Sequence, residues 1–372
     1  MNSTLERILV PLGAVAVSLL LFALFVALAG YPPLDVFALL YKGGFGSSFS
    51  WNNSLQRAAP LILTGLAVAI PARAGLVIIG GEGAMVLGGL AAAIVGVWGP
   101  VHIPLVAQII MLLSGALVGA IWIGLCGWMR HARGINETIS SLLMAYIGIA
   151  LLNHFVEGPL KDPNSLNKPS TPPIPDANML GLTPGFDVHM GLLIGVVVAL
   201  IAWAVLRFTT LGFALKVVGG NPRAAQLAGL RVGRWIIGAC AAGGAAAGLS
   251  GAVEVAAVHG AANASLISGY GNAGILIAFM ARHNPLAIIP VAVLIGGIGA
   301  AGGMLQRRLD MPDATVIVLQ GMAFIAILAS EAVMGSPWRR IAQRLWGIEP
   351  ATTPVAPAPV TVLAKSSTLE AA

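Results

Sequence analysis

Few side chains in this 372-residue chain have both the type and the setting to do chemistry, and those few are carboxylates and amides embedded in apolar sequence. Glu254 lies inside the apolar run Trp235 to Val258, five residues before His259. Glu82 sits in the glycine-rich break Ile79-Gly80-Gly81-Glu82-Gly83; Asn136-Glu137 opens the apolar run that begins at Ile139, and Asn153 closes it. An ionisable group at membrane depth is costly and so faces a bundle interior or a water-filled cavity. The chemistry such groups suit is recognition of a passing solute through sparse hydrogen bonds. Each also has a plainer reading: Glu254 as a carboxyl bonded to a neighbouring helix end, Glu82 and Glu137 as first-turn acids complementing a helix dipole, Asn136 as an N-cap, and Asn153 with His154 as interfacial polar groups. Bond-making catalysis has less footing. The dipeptide Gly-Lys never occurs, so no phosphate-cradling loop of that type exists, and neither His-Glu-x-x-His nor Gly-x-Ser-x-Gly is present. The six His are scattered, and no metal ligand set is expected.

The elements that position these residues follow from composition. Hydrophobic residues make up 58% of the chain, charged residues 9%, and the mean hydropathy is +0.90, which together describe an all-α polytopic membrane protein. The net charge of +6 sits in short loops between apolar runs, where the positive-inside rule accounts for it, and no basic stripe interleaved with aromatics points to nucleic acid. Cys126 and Cys240 fall within apolar runs and read as buried thiols. About ten spans are expected: Ile8 to Ala29, retained as a first helix, then Ala58 to Ala72, Gly83 to Trp98, Ile103 to Trp128, Ile139 to Val156, Met190 to Leu206, Trp235 to Val258, a short Gly274 to Ala281, Leu286 to Ala301, and Ala314 to Met334.

Alternate loops counted from a cytoplasmic N-terminus place Arg73, the cluster Arg130-His131-Arg133, the five cations from Arg207 to Arg234 and the tail Arg339-Arg340-Arg344 on one side, so both termini are expected in the cytoplasm. Residues 157–189 then form an external, irregular loop with seven prolines and four carboxylates against two lysines. Arg307-Arg308 are the exception to the asymmetry, and a re-entrant segment is expected between Gly269 and Asp313. Gly115-xxx-Gly119, Gly244-xxx-Gly248 and Gly299-xxx-Gly303 read as close helix packing. Residues 1–348 make the transmembrane domain, and the Pro/Ala/Ser/Thr-rich residues 349–372 are expected to be disordered.

The cationic loop 207–234 carries Gly219-Gly220-Asn221-Pro222-Arg223-Ala224-Ala225 followed by Ala228-Gly229, with no carboxylate. An Asn-Pro-broken helix on the cytoplasmic side of a membrane protein presents a docking element to a soluble partner, most simply an ATPase. Several blocks, from Ala58 to about Glu331, make the chain resemble permease subunits of bacterial ABC importers in the branch that handles simple sugars, branched-chain amino acids and nucleosides. They are Arg73 to Leu76, Gly80 to Gly83, Gly134 to Ser141, Gly158 to Pro163, Gly219 to Gly229, Gly251 to Glu254, Gly269-Tyr270-Gly271 and Gln320-Gly321. The Asn136-Glu137 and Gly158 to Pro163 blocks with the long external insertion are most similar to the longer permease of nucleoside importers that work with a basic-membrane-protein type binding lipoprotein. The chain departs from that pattern at Ala145, at Asn272-Ala273-Gly274 and at Arg307-Arg308.

The resemblance implies a type II-like permease fold with broken helices, in the bacterial cytoplasmic (inner) membrane. It implies a coupling helix at Asn221-Pro222, a second permease, an ATPase with two nucleotide-binding domains fused in one chain, and a substrate-binding lipoprotein. ATP and Mg would be bound by that ATPase, and this chain would bind no cofactor of its own and catalyse nothing. The expected substrate path is lined by Glu82, Asn136, Glu137, Asn153 and Glu254. The expected function is nucleoside import, with simple-sugar import as the alternative inside the family. An ion-coupled secondary transporter using Glu82 and Glu254 is the reading from another class, but it leaves the cationic docking loop without a role.

Overall fold

Backbone in hydrocarbon must satisfy its own hydrogen bonds, so the apolar runs fold as helices. The computed structural model describes residues 3–335 apart from 100–102, 166, 167, 184 and 186. Among the described residues every regular element is helical, with isolated bridges only at Ser170 with Asn263 and Leu182 with His189. In order the α-helices are α1 Ser3–Leu28, α2 Pro33–Phe45, α3 Ser48–Ala72, α4 Gly81–Trp98, α5 Pro104–Arg133, α6 Glu137–Glu157, α7 Gly191–Phe208, α8 Thr210–Gly220, α9 Pro222–Leu227, α10 Val232–Glu254, α11 Tyr270–Met280, α12 Pro285–Leu309 and α13 Thr315–Gly335. The chain divides into one unit of Met1–Leu328, which holds every contact described below, and a second of Ala329–Ala372. The basic tail Arg339-Arg340-Arg344 and the expected disordered segment 349–372 lie outside the described residues.

Each of the ten apolar runs coincides with a helix. Among the described residues seven helices are long and apolar enough to cross a membrane: α3, α4, α5, α6, α7, α10 extended to His259, and α12. α1 and α2 form a pair bent by 118° that makes an eighth if counted as one span, while α8, the stretch Ala264–Met280 and the Thr315–Ser330 part of α13 are shorter apolar helices. α2 was not foreseen. Asp35, Lys42 and paired glycines interrupt its apolar character, and it turns back to pack on α12 and α3.

α3 is the pillar of the bundle, buried without a break from Ala58 to Ala69 and packed by α10, α11, α12 and α7. Thr64 and Ser250 both donate their hydroxyls to the Pro60 carbonyl, at 3.0 and 3.2 Å, which ties α10 to α3. α5 and α10 run antiparallel with backbones in contact: a Cβ on Gly119 would meet the main chain of Gly244 and Gly248, and one on Gly115 would meet Ala252 and Gly248. The third small-residue motif behaves differently. An added Cβ at Gly299 finds only Arg57 Nη1 at 3.8 Å, because Gly299 lines an open cavity, and one at Gly303 finds only Arg307 Nη1 of its own helix at 3.3 Å.

The described residues of 158–189 have as their only helical turn the 3-10 turn at Asp176–Asn178. They are nevertheless anchored: the N–H groups of Thr171, Ile174 and Leu180 donate to the carbonyls of Ala262, Gly260 and Ala256 at 2.9, 2.7 and 2.7 Å. Cys126 and Cys240 are free and buried.

Candidate functional site

The cationic loop folds as two helices broken at Asn221, whose extended backbone (φ −155°, ψ 102°) ends α8. Its Oδ1 accepts from the N–H groups of Arg223 and Ala224, at 3.0 and 3.1 Å, and Pro222 fills the first helical position, where no N–H is needed. Gly229, at φ +81°, turns the chain after α9. Of α9 only Ala225 is buried, in a small cluster with Val218 and Val232, while Arg223, Gln226 and Leu227 are exposed, Leu227 by 91%. α9 is thus a short helix held by one face and bare on the other.

The loop also touches the first helix break. Gly219 at the end of α8 lies on the backbone of Arg73, Ala74 and Gly75, so closely that a Cβ there would meet their main chain. Beyond Gly75, itself at φ +74°, residues 76–79 run outside any helix, beside the start of α6. Thr138 Oγ1 donates to the Val77 carbonyl at 2.9 Å, and the Ile79 N–H donates to Ser141 Oγ at 3.1 Å. With Leu76 and Ile78 buried, these residues form a strap that leads directly into α4.

Glu82, in the first turn of α4, is 3% exposed, yet its carboxylate is fully engaged. Oε1 accepts from the Gly269 N–H at 2.8 Å and Oε2 from the Gly271 N–H at 2.6 Å, so it holds the N-terminal end of α11. Two helix N-termini, each with a partial positive charge, thus converge on one carboxylate inside the bundle. Within 269–313, where a re-entrant segment is expected, α11 is a short apolar helix of 11 residues.

Beside the clamp lies a cavity of about 520 Å³ formed by α3, α11, α12 and α13. Tyr270, Leu61, Ile295 and Phe324 supply apolar and aromatic wall, and Arg57, Asn272, Asp313 and Gln320 supply polar groups. Arg57, Asn272 and Asp313 are exposed. Arg57 and Asn272 lie within apolar helices and Asp313 just before one, and exposed polar side chains in such a setting suit a water-filled cavity and not a lipid-facing surface. None of these four is among the residues expected to line the path, although Asn272 lies in one departure from the family pattern and Gln320 in one of its blocks. The signals were present, however: Arg57 stands directly before the Ala58 run, and Gln320 interrupts the apolar α13.

The five expected path residues do not form one cluster. Asn136 caps α6, accepting from the N–H groups of Thr138 and Ile139, and buried Glu137 pairs with Arg130 and accepts from the Val77 N–H at 3.4 Å. Asn153 is half-buried further along α6. Glu254, 4% exposed, faces His259 Nδ1 at 3.5 Å across the π-helical turn Val255–His259. Since His131 packs on Gly233, Glu254 stands about 30 Å along α10 from the corner that holds Glu137. Glu82 lies between these levels, because Gly83 packs on Ala145 and Gly148 of α6. Among the described residues no three His, Cys, Asp or Glu gather in a way that could hold a metal ion.

Two histidines outside the spans have displaced pKa values. Burial, with the Arg73 charge beside it, lowers that of His283, whose carbonyl accepts from Arg73 Nη2 at 3.1 Å. Burial lowers that of His189, which is 4% exposed.

Residues 50–328 match the family model for the permease component of branched-chain amino acid transport systems. The glucose ABC transporter permease protein TsgB13 of Haloferax volcanii is 33% identical over 313 residues, covering 80% of this chain and 81% of that protein. The guanosine ABC transporter permease protein NupP of Bacillus subtilis is 30% identical over 353 residues, covering 90% and 96%. The nucleoside ABC transporter permease protein NupB of Lactococcus lactis is 28% identical over 342 residues, covering 88% and 93%. No solved structure matches the chain.

Proposed function

The chain belongs to the family of permease components of branched-chain amino acid transport systems, and we propose that this member passes nucleosides inward across a bacterial cytoplasmic membrane. It is a multi-pass, non-catalytic membrane subunit of an ABC transporter, a class of protein that works with an ATPase and a substrate-binding protein. ATP and Mg belong to that ATPase. The observation that carries the nucleoside reading is the match to the guanosine permease NupP over nearly the whole of both chains. The cavity supports it, since Tyr270 and Phe324 offer aromatic surface to a base while Asn272 and Gln320 offer paired donors and acceptors.

In this proposal the cation-rich ends of the helices and both termini face the cytoplasm, residues 157–189 face outward, and α9 docks on the ATPase. The ATPase carries two nucleotide-binding domains in one chain, a second permease completes the path, and a lipoprotein delivers the substrate. Movement of α9 reaches the cavity through a short route: Gly219 pushes on Gly75, the strap 76–79 shifts α4, and Glu82 draws Gly269 and Gly271 with it, moving the adjoining Asn272. Glu254 with His259, and Asn153, are further polar groups of the path. Asn136 and Glu137 hold the corner on which the strap rests.

Glucose import is the second reading, favoured by the match to TsgB13. The two separate in the ATPase activity of the reconstituted complex. Binding protein loaded with a purine or pyrimidine nucleoside should stimulate hydrolysis; stimulation by a glucose-loaded binding protein, with none by nucleosides, would assign the chain to sugars.

A further inference from the structure

A second cavity, of about 750 Å³, lies between α7, α8 and the start of α10, and nothing in the transport route uses it. Its walls are apolar, with Ile201 and Val205 from α7, Leu211 and Leu215 from α8, and Gly238 and Ala242 from α10. Gly238 has nothing within 4 Å of the position of a Cβ, so its missing side chain is part of the open space. Polar character is confined to one end, where Arg231 and Arg234 line the mouth beside Trp235. Both arginines are exposed, and neither forms an ion pair among the described residues. No acid lines the groove to meet them.

The outer wall shows where an occupant would come from. Ile201 is 57% exposed and is continuous along α7 with the exposed Leu193, Val197 and Leu200, on a helix apolar enough to span a membrane. The groove therefore opens sideways into the bilayer, with its two guanidiniums at one end. An occupant must be apolar along most of its length, anionic at one end and supplied from the membrane. We infer that the groove binds an anionic phospholipid, an acyl chain lying over Gly238 and Ala242 and the phosphate meeting Arg231 and Arg234. Basic pockets between transmembrane helices take anionic head groups in this way, and an arginine fork suits a phosphate.

The site adjoins the docking element. Gly229 and Leu230 line the groove, and the Leu230 N–H donates to the Ala225 carbonyl at 2.9 Å, closing the turn after α9. A lipid in the groove steadies that turn and holds α9 in place. This consequence for coupling rests on the docking role given to α9 above, whereas lipid binding itself does not.

The experiment is retention of lipid by the purified full-length chain, read by native mass spectrometry after extraction from vesicles of phosphatidylglycerol and phosphatidylcholine. Phosphatidylglycerol should be retained selectively. Arg231→Gln and Arg234→Gln should each weaken retention by about fivefold, and Gly238→Leu, which keeps both charges but fills the groove, should abolish it. Arg207→Gln, whose guanidinium lies over Trp203 and Phe208 outside the groove, should change nothing. Wild-type retention in Gly238→Leu would reduce the effect to surface charge and overturn the site. Displacement of the lipid by inorganic phosphate alone would overturn the acyl-chain part. In proteoliposomes, loss of phosphatidylglycerol should lower coupled ATPase activity in the wild type and leave Gly238→Leu unaffected. If binding is selective but activity is indifferent to it, the lipid site stands and the link through α9 is wrong.

Discussion

The Glu82 carboxylate accepts the Gly271 N–H at 2.6 Å, joining two helix N-termini that lie 189 residues apart in the sequence. Neither helix end has a side-chain N-cap of its own, so one acid serves both. A glutamine can accept from only one of the two N–H donors and must set its own NH2 against the other. We expect Glu82→Gln to cost about 1.5–3 kcal/mol of stability, by the range for hydrogen bonds to charged groups. In Gly271→Ala the new Cβ would meet Glu82 itself, so transport should fall with the chain still inserted. Gly181→Ala, with open space around it, is the control. Thermal melting and uptake measured together on the three variants check this, and wild-type behaviour in Gly271→Ala would remove the clamp from the mechanism.

The Asn221 cap and Pro222 make α9 rigid. Replacing them as Asn221→Ala with Pro222→Gly should loosen the helix by about 1 kcal/mol for the cap alone, enough to uncouple the complex without preventing insertion. Substrate-stimulated ATPase activity should be lost while the permease remains in the membrane. Full stimulation in the double variant would end the docking assignment.

The contact between Gly219 and the Arg73 to Gly75 turn leaves no room for a side chain. Gly219→Val should therefore separate α8 from the strap, lowering transport per ATP hydrolysed more than hydrolysis itself. An unchanged ratio would mean that movement of α9 reaches the cavity by another route.

His283 supplies a pH dependence. An unperturbed His titrates near 6.5, and the folded value is lower because the site is buried and Arg73 stands beside it. The unfolded chain thus binds the proton first on acidification. The stabilisation is complete above about pH 6.5 and is lost as the pH falls through the folded value. His283→Asn, which tolerates the φ of +55° at this position, should flatten the acid limb of a melting-temperature profile between pH 7 and 5. An unchanged acid limb would assign it to other groups.

The sequence reveals spans more readily than sites. A span needs a long apolar run. Among the described residues seven of the ten expected runs became helices long and apolar enough to cross, the first makes an eighth only together with α2, and those at α11 and α13 fall short of the ten spans expected. α2 escaped notice because Asp35 and Lys42 dilute it below that signal. The helix break at Asn221-Pro222 was legible because its signal is local, and the Asn221 cap that the structure adds uses donors two and three residues away. Glu82 was legible as an oddity but its partners were not, since nothing local connects it to Gly269 and Gly271. Arg57, Asn272, Asp313 and Gln320 meet only when α3, α11, α12 and α13 pack, and Gly299 reads as a packing glycine until its neighbour proves to be open space.

Topology is open to direct labelling. Single cysteines at Lys168 and Arg223, in a background lacking Cys126 and Cys240, should react oppositely with an impermeant reagent applied outside, Lys168 labelled and Arg223 protected. Equal labelling would reject the assignment of the two loops to opposite faces.

Uptake of labelled substrate by proteoliposomes tests the central claim most directly, with this chain, its partner permease, the ATPase and the binding protein all present. Purine or pyrimidine nucleosides should accumulate only with ATP and the binding protein, and Asn272→Leu or Gln320→Leu should slow that accumulation by about fivefold, the loss of one hydrogen bond each. Accumulation of glucose that a large excess of nucleoside fails to compete away would contradict the nucleoside assignment.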